Sequence, residues 1–176
     1  MLTSIVLTIF GKDRPGLVES VAASVVSRGG NWLESRLLHL GGHFTGIVRV
    51  EIPDEKHSEL LAALHDLEKT GLSIVAHEAG PPTSDASNGR PVTIEVIGHD
   101  RPGIVRAISR ALASSGVNVE ELTTERTSAP MSGEAIFKAR ADVVLPDGLD
   151  ASALRGELER VAEDLMVDLT FRPAEE

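Results

Sequence analysis

The chain has 176 residues, no cysteine, and 17 Lys plus Arg against 27 Asp plus Glu, a formal net charge of -10. With 41% apolar and 25% charged residues it has the composition of a globular protein, not a disordered one, and enough length for one domain or two small ones. The acidic balance, with no Lys/Arg-rich stretch to offset it, argues against direct nucleic-acid binding, and the missing cysteine excludes a disulfide, a thiol nucleophile and a thiolate metal site.

At the N-terminus, Met1-Leu2-Thr3-Ser4-Ile5 has no basic leader, and no apolar run approaches the roughly 18 residues of a membrane span. A cytoplasmic protein without a membrane partner is expected. Leu2 to Phe10 alternates and is rich in Ile and Val, which predicts a half-buried strand. A helix follows, with Pro15 suited to its first turn, Asp13 able to accept from free amides there, and Leu17, Val18, Val21, Ala22 and Val25 at helical spacing. Gly29 reads as its C-terminal cap. Trp32 to Leu40 and Phe44 to Ile52 form a hairpin across Gly41-Gly42, stopped by Pro53. A second helix carries Leu60, Leu61, Leu64 and Leu67, and Leu72 to His77 is the last strand of this half.

Gly80-Pro81-Pro82-Thr83-Ser84-Asp85-Ala86-Ser87-Asn88-Gly89 lacks periodicity and reads as a linker, assigned to residues 80–90. Beyond it the pattern returns. Ile9-Phe10-Gly11-Lys12-Asp13-Arg14-Pro15-Gly16-Leu17-Val18 recurs 87 residues later as Val96-Ile97-Gly98-His99-Asp100-Arg101-Pro102-Gly103-Ile104-Val105. At the same offset Gly29 meets Gly116, Asn31 meets Asn118, Glu34 meets Glu121 and Gly46 meets Gly133. The second copy offers a strand from Val92 to Ile97, a helix with Ile104, Val105, Ile108 and Leu112, and hairpin arms at about Val119 to Thr127 and Ala135 to Leu145, stopped by Pro146. A helix with Leu154, Leu158, Val161 and Leu165 and a strand from Met166 to Phe171 complete it. Two homologous domains, 1–79 and 91–176, are expected. Each has the order strand-helix-strand-strand-helix-strand, an α+β ferredoxin-like fold with two helices on one face of a four-stranded antiparallel sheet. The open face and edges of such sheets favour pairing of the copies and a homodimer.

Both copies place Gly-x-Asp-Arg-Pro-Gly between the first strand and first helix. A helix N-terminus offers unpaired N–H groups and a partial positive charge suited to a carboxylate. Gly11, Gly98, Gly16 and Gly103 remove side chains that would keep a ligand from the backbone, Asp13 or Asp100 can face an ammonium group, and Arg14 or Arg101 a second anion. A free amino acid carries the matching charges. The same residues also serve folding alone, with Asp as cap, Pro as helix start and Gly as turn. Asn31 and Asn118 either bound the same pocket from a neighbouring domain or serve a local turn. The six histidines give no convincing ligand set: His39 and His43 straddle the Gly41-Gly42 turn, and His57 and His65 lie eight apart on a solvated helix. Ser84 and Ser87 have no adjacent base, and no Gly-x-Ser-x-Gly elbow occurs, so neither an enzyme nor a metal or other cofactor is expected. Arg106 and Arg110 form one small basic face, read as solvated helix surface.

The doubled order of elements, Asp-Arg-Pro-Gly-Leu/Ile-Val, and Gly-x-Asn with an acid three residues after the Asn resemble ACT domains, regulatory modules that bind amino acids at domain interfaces. Glu34-Ser35-Arg36-Leu37 with Leu40-Gly41, Asn118-Val119-Glu120-Glu121-Leu122-Thr123-Thr124 and Ala129-Pro130-Met131-Ser132-Gly133 resemble tandem ACT proteins of the glycine cleavage system repressor type. The resemblance covers essentially the whole chain. It implies ligand contacts at Asp13, Gly16, Leu17 and Asn31 and at Asp100, Gly103, Ile104 and Asn118, with glycine or serine as the favoured ligand. It also implies a protein partner, a transcriptional activator or a metabolic enzyme. The alternative is a ligand-independent module that regulates a metabolic enzyme by protein contact.

Overall fold

Alternation decides the strands. In a computed structural model, which describes residues 1–80, 89–129 and 132–173, strand β1 (Leu2–Lys12) buries Ile5, Leu7 and Ile9 on one face, as a two-residue side-chain period requires. Then come α1 (Leu17–Val26), β2 (Asn31–Leu40), β3 (His43–Pro53), α2 (His57–Glu68) and β4 (Leu72–Glu78). The order repeats as β5 (Gly89–His99), α3 (Ile104–Ser114), β6 (Asn118–Ser128), β7 (Ala135–Pro146), α4 (Ala151–Leu165) and β8 (Val167–Pro173). Each half builds its own four-stranded antiparallel sheet, in the orders β2-β3-β1-β4 and β6-β7-β5-β8. The chain divides into two compact units, Met1–Pro82 and Thr83–Glu176. Of the expected linker, residues 81–88 lie outside the described residues. Gly89 and Arg90 already pair with Pro146 and Leu145 of β7.

Both cores are aliphatic. In the first unit Ile5, Leu7, Ile9, Val48, Val50 and Ile52 of the sheet meet Leu17, Val21 and Val25 of α1 and Leu60 and Leu64 of α2. In the second, Val92, Ile94, Val96, Val143 and Leu145 meet Ile104, Ile108 and Leu112 of α3 and Leu154 and Leu158 of α4. Aromatic rings pack only at the margins, Trp32 and Phe44 on the first core, Phe137 and Phe171 on the second. Trp32 stands beside a bulge where β2 slips against β3 between Trp32 and Glu34, and β6 slips against β7 at the matching place, between Val119 and Glu121.

The sheet faces turned away from the helices have diverged. On the first, Phe10, Leu38, Ile47 and Val75 are half or more exposed, beside one ion pair, Arg49 with Glu34 at 3.1 Å. On the second, Lys138 pairs with Glu125 at 3.1 Å, Arg140 with Asp142 at 3.4 Å and Arg172 with Glu95 at 3.6 Å.

Helix ends bear out one expectation and correct two. Gly29 and Gly116 close α1 and α3 with paired bonds: Gly29 N–H to Val26 C=O with Gly30 N–H to Val25 C=O, and Gly116 N–H to Ala113 C=O with Val117 N–H to Leu112 C=O. This is the Schellman arrangement, which satisfies carbonyls the helix leaves open. At the other end, Asp13 and Asp100 do not cap, and Pro15 and Pro102 lie before the helices, not in their first turns. Pro15-Gly16 and Pro102-Gly103 form tight turns with Gly16 at φ 89, ψ 1 and Gly103 at φ 99, ψ -4, values of the third residue of a type II turn, where glycine meets no Cβ penalty. The helix then starts one residue later, and the carboxylate is left upstream of it. The strand expected from Met166 starts at Val167, because Met166 sits at φ 54, ψ 49 and terminates α4.

Candidate functional site

The two β–α loops have the same backbone frame. Asp13 N–H donates to Gly42 C=O at 3.1 Å, and Asp100 N–H donates to Ala135 C=O at 2.9 Å, tying each loop to the end of its hairpin. Gly16 C=O accepts Ser20 N–H at 3.0 Å, and Gly103 C=O accepts Ala107 N–H at 2.9 Å, the first bond of each helix. No side chain caps either N-terminus, so the first-turn amides of α1 and α3 keep their donors. A Cβ built on Gly16 or Gly103 would meet nothing within 4 Å, so the space over these glycines is open.

Gly11 and Gly98 have a different task from the one expected. A Cβ at Gly11 would lie 2.9 Å from Gly71 C=O, and one at Gly98 would lie 2.6 Å from Val167 Cγ1. They let β1 and β5 approach the starts of β4 and β8; the neighbouring strand, not a ligand, fills the space. Leu17 and Ile104 are buried in the cores, which leaves only their backbone amides to a ligand. Arg14 donates to Thr70 C=O at 3.2 Å, and Arg101 reaches Met166 Sδ at 3.9 Å, so both guanidiniums strap their loop to the connection before the last strand.

Asn31 and Asn118 are not gathered with these groups inside a unit. They begin β2 and β6, beyond the far ends of α1 and α3, a helix length of about 15 Å from the glycines. Asn118 Nδ2 donates to Glu120 Oε1 at 2.8 Å, a local contact.

Two residues of the site were not singled out beforehand for this role. His39 Nε2 lies 3.7 Å from Asp13 Oδ2, and Arg126 Nε lies 2.7 Å from Asp100 Oδ2. They are equivalent positions: they are 87 residues apart, and each pairs with a phenylalanine of the next strand, His39 with Phe44 and Arg126 with Phe137. The offset that aligns the loops would have found them. His43 stacks on Phe10 with ring centroids 5.1 Å apart, and no group of three metal-ligating side chains occurs among the described residues. Arg106 and Arg110 line an open groove of about 640 Å³ between α3 and α4 with Gly103, Ser114 and Glu157, and form no ion pair among the described residues. No helix is long and apolar enough to cross a membrane.

Comparison with known proteins agrees with this architecture. ACT-domain models match residues 3–77 and 92–163. A crystal structure of a Galdieria sulphuraria protein of unknown function shares 30% identity with 99% of this chain, over 100% of its own length, at a TM-score of 0.87. A protein assigned as a glycine cleavage system transcriptional repressor shares the fold over 100% of this chain and 99% of its own, with 19% identity and a TM-score of 0.74. No curated protein sequence matches the chain. With both repeats matched and the βαββαβ order observed twice, the chain belongs to the ACT-domain family.

Proposed function

We propose that the chain is a non-catalytic regulatory protein that binds a free amino acid at its Asp-Arg-Pro-Gly loops and passes the signal to a protein partner. The observation that carries this reading is the pair of uncapped helix N-termini, each with open space over Gly16 or Gly103 and a carboxylate, Asp13 or Asp100, just upstream. Free amides and the helix dipole suit the ligand's carboxylate, and the aspartate suits its ammonium group. Glycine and serine are the first candidates, Asn31 and Asn118 are further ligand contacts, and the protein works as a homodimer in the cytoplasm. The partner is a transcriptional activator or an enzyme of glycine or one-carbon metabolism. Net charge -10 supports control through a protein and not through DNA. Binding shifts the protein toward one conformation only by its differential affinity for that conformation.

Thermal-shift titration with the twenty amino acids, with folate and nucleotide controls, tests the proposal. At 100 times the dissociation constant, the right amino acid stabilises the folded state by about 2.7 kcal/mol. If none of the twenty raises the melting temperature, the sensor reading fails. A second reading, a ligand-independent interaction module, is favoured by the apolar open sheet face of the first unit around Phe10, Ile47 and Val75. Capture of the partner that is unchanged by any amino acid would select it.

A further inference from the structure

We infer that the two loops are unequal and that Asp13, not Asp100, is the carboxylate that receives a ligand's ammonium group. The inference rests on the amino-acid reading above and names the site within the chain that does the binding. The backbone frames match, with Asp13 held by Gly42 and Asp100 by Ala135, so the difference lies in the cation opposite each carboxylate. In the second unit that cation is Arg126, whose Nε donates to Asp100 Oδ2 at 2.7 Å. Arginine stays charged at every working pH and makes strong charge-assisted bonds to carboxylates. Asp100 is therefore neutralised from within the chain, and its side chain is less exposed than that of Asp13, 31% against 45%. An incoming ammonium would share Asp100 with a guanidinium already bonded to it.

In the first unit the equivalent residue is His39, at 3.7 Å from Asp13 and beyond hydrogen-bond reach. The Asp13 carboxylate thus has no hydrogen-bonded cation, beside the open space over Gly16 and the uncapped amides of α1. The first loop thus offers both halves of a zwitterion's complement, and the second offers the anion half with its carboxylate already engaged.

Calorimetric titration of the full chain at pH 8 with glycine, serine, the remaining standard amino acids and glycolate tests this. Glycolate keeps the carboxylate of glycine but lacks its ammonium. One tight event per chain is expected, with glycolate bound at least about tenfold more weakly than glycine. Asp13→Asn weakens the amino acid by about tenfold or more, and Asp100→Asn by less than about threefold. His39→Arg copies the second unit's arrangement into the first and weakens binding by about two- to fivefold, the worth of an exposed ion pair. Arg126→His releases Asp100 and strengthens the weaker event at the second loop by up to about fivefold. His39 is exposed on β2, so His39→Arg carries the test even if Asp13→Asn does not fold. The inference is overturned if Asp100→Asn weakens binding more than Asp13→Asn, if His39→Arg leaves affinity unchanged, or if glycolate binds as tightly as glycine. Wild-type chain that binds no amino acid overturns the sensor reading itself, which differs from binding that survives Asp13→Asn.

Discussion

Gly11 and Gly16 stand five residues apart in the same motif, yet the structure holds them for opposite reasons. Gly16 and Gly103 need a left-handed backbone in open space; Gly11 and Gly98 need the absence of a side chain where another strand passes. Gly103→Ala is therefore expected to cost about 1 kcal/mol, the strain of a Cβ at positive φ. Gly98→Ala must push against the backbone and side chain of Val167, and is expected to cost about 2–3 kcal/mol. Urea denaturation of the two variants ranks them, and the reverse order would exchange the roles assigned here. The motif was legible in sequence, but this division was not, because Gly71 and Val167 lie some 60 to 70 residues away along the chain. Asp13 and Asp100 were misread as caps for a related reason. Aspartate favours helix starts, but the Pro-Gly turn intervenes and moves each helix start downstream.

Among elements, the aspartate that does cap a helix is Asp150. Its Oδ1 accepts from Ser152 N–H at 2.9 Å and Ala153 N–H at 3.3 Å, at the start of α4. Asp150→Ala is expected to cost about 1 kcal/mol in chemical denaturation. The other end of α4 is less favourable. Met166 is the one non-glycine residue at positive φ among the described residues, and it is 59% exposed. Gly71 holds the corresponding place before β4, at φ 87. Met166→Gly should therefore raise stability by up to about 1 kcal/mol, visible as a higher melting temperature. An unchanged or lower value would mean that the contact with Arg101 outweighs the strain. Strands and helices were readable because Ile, Val and Leu fall at periods of 2 and 3.6 in both copies. Their ends were less so: Met166, apolar and next to Val167, looked like strand and acts as a helix terminus.

At the scale of the molecule, duplication has kept the cores and freed the surfaces. No residue of one core cluster belongs to the other. Leu158→Ala is expected to cost about 2–5 kcal/mol and to lower hydrogen-exchange protection in β5, β7 and α4 first, with the amides of Ile5 and Leu7 protected longest. Loss of protection in both halves at once would show that the chain unfolds as one unit. The repeat made the doubled fold legible before any coordinate. Side-chain partners across the repeat were not legible, since whether His39 and Arg126 face the loop aspartates depends on which strand residues share a face after the bulge.

The lone Trp32 has one more use. The chain has a single tryptophan and no tyrosine, and that tryptophan packs at the edge of the first core, on the strand that carries His39. Emission excited near 295 nm therefore originates entirely from the first unit. The native protein carries an optical tag on one of its two similar halves. A fluorescence change on adding an amino acid would register the response of that half without any label being attached, while the second half stays dark.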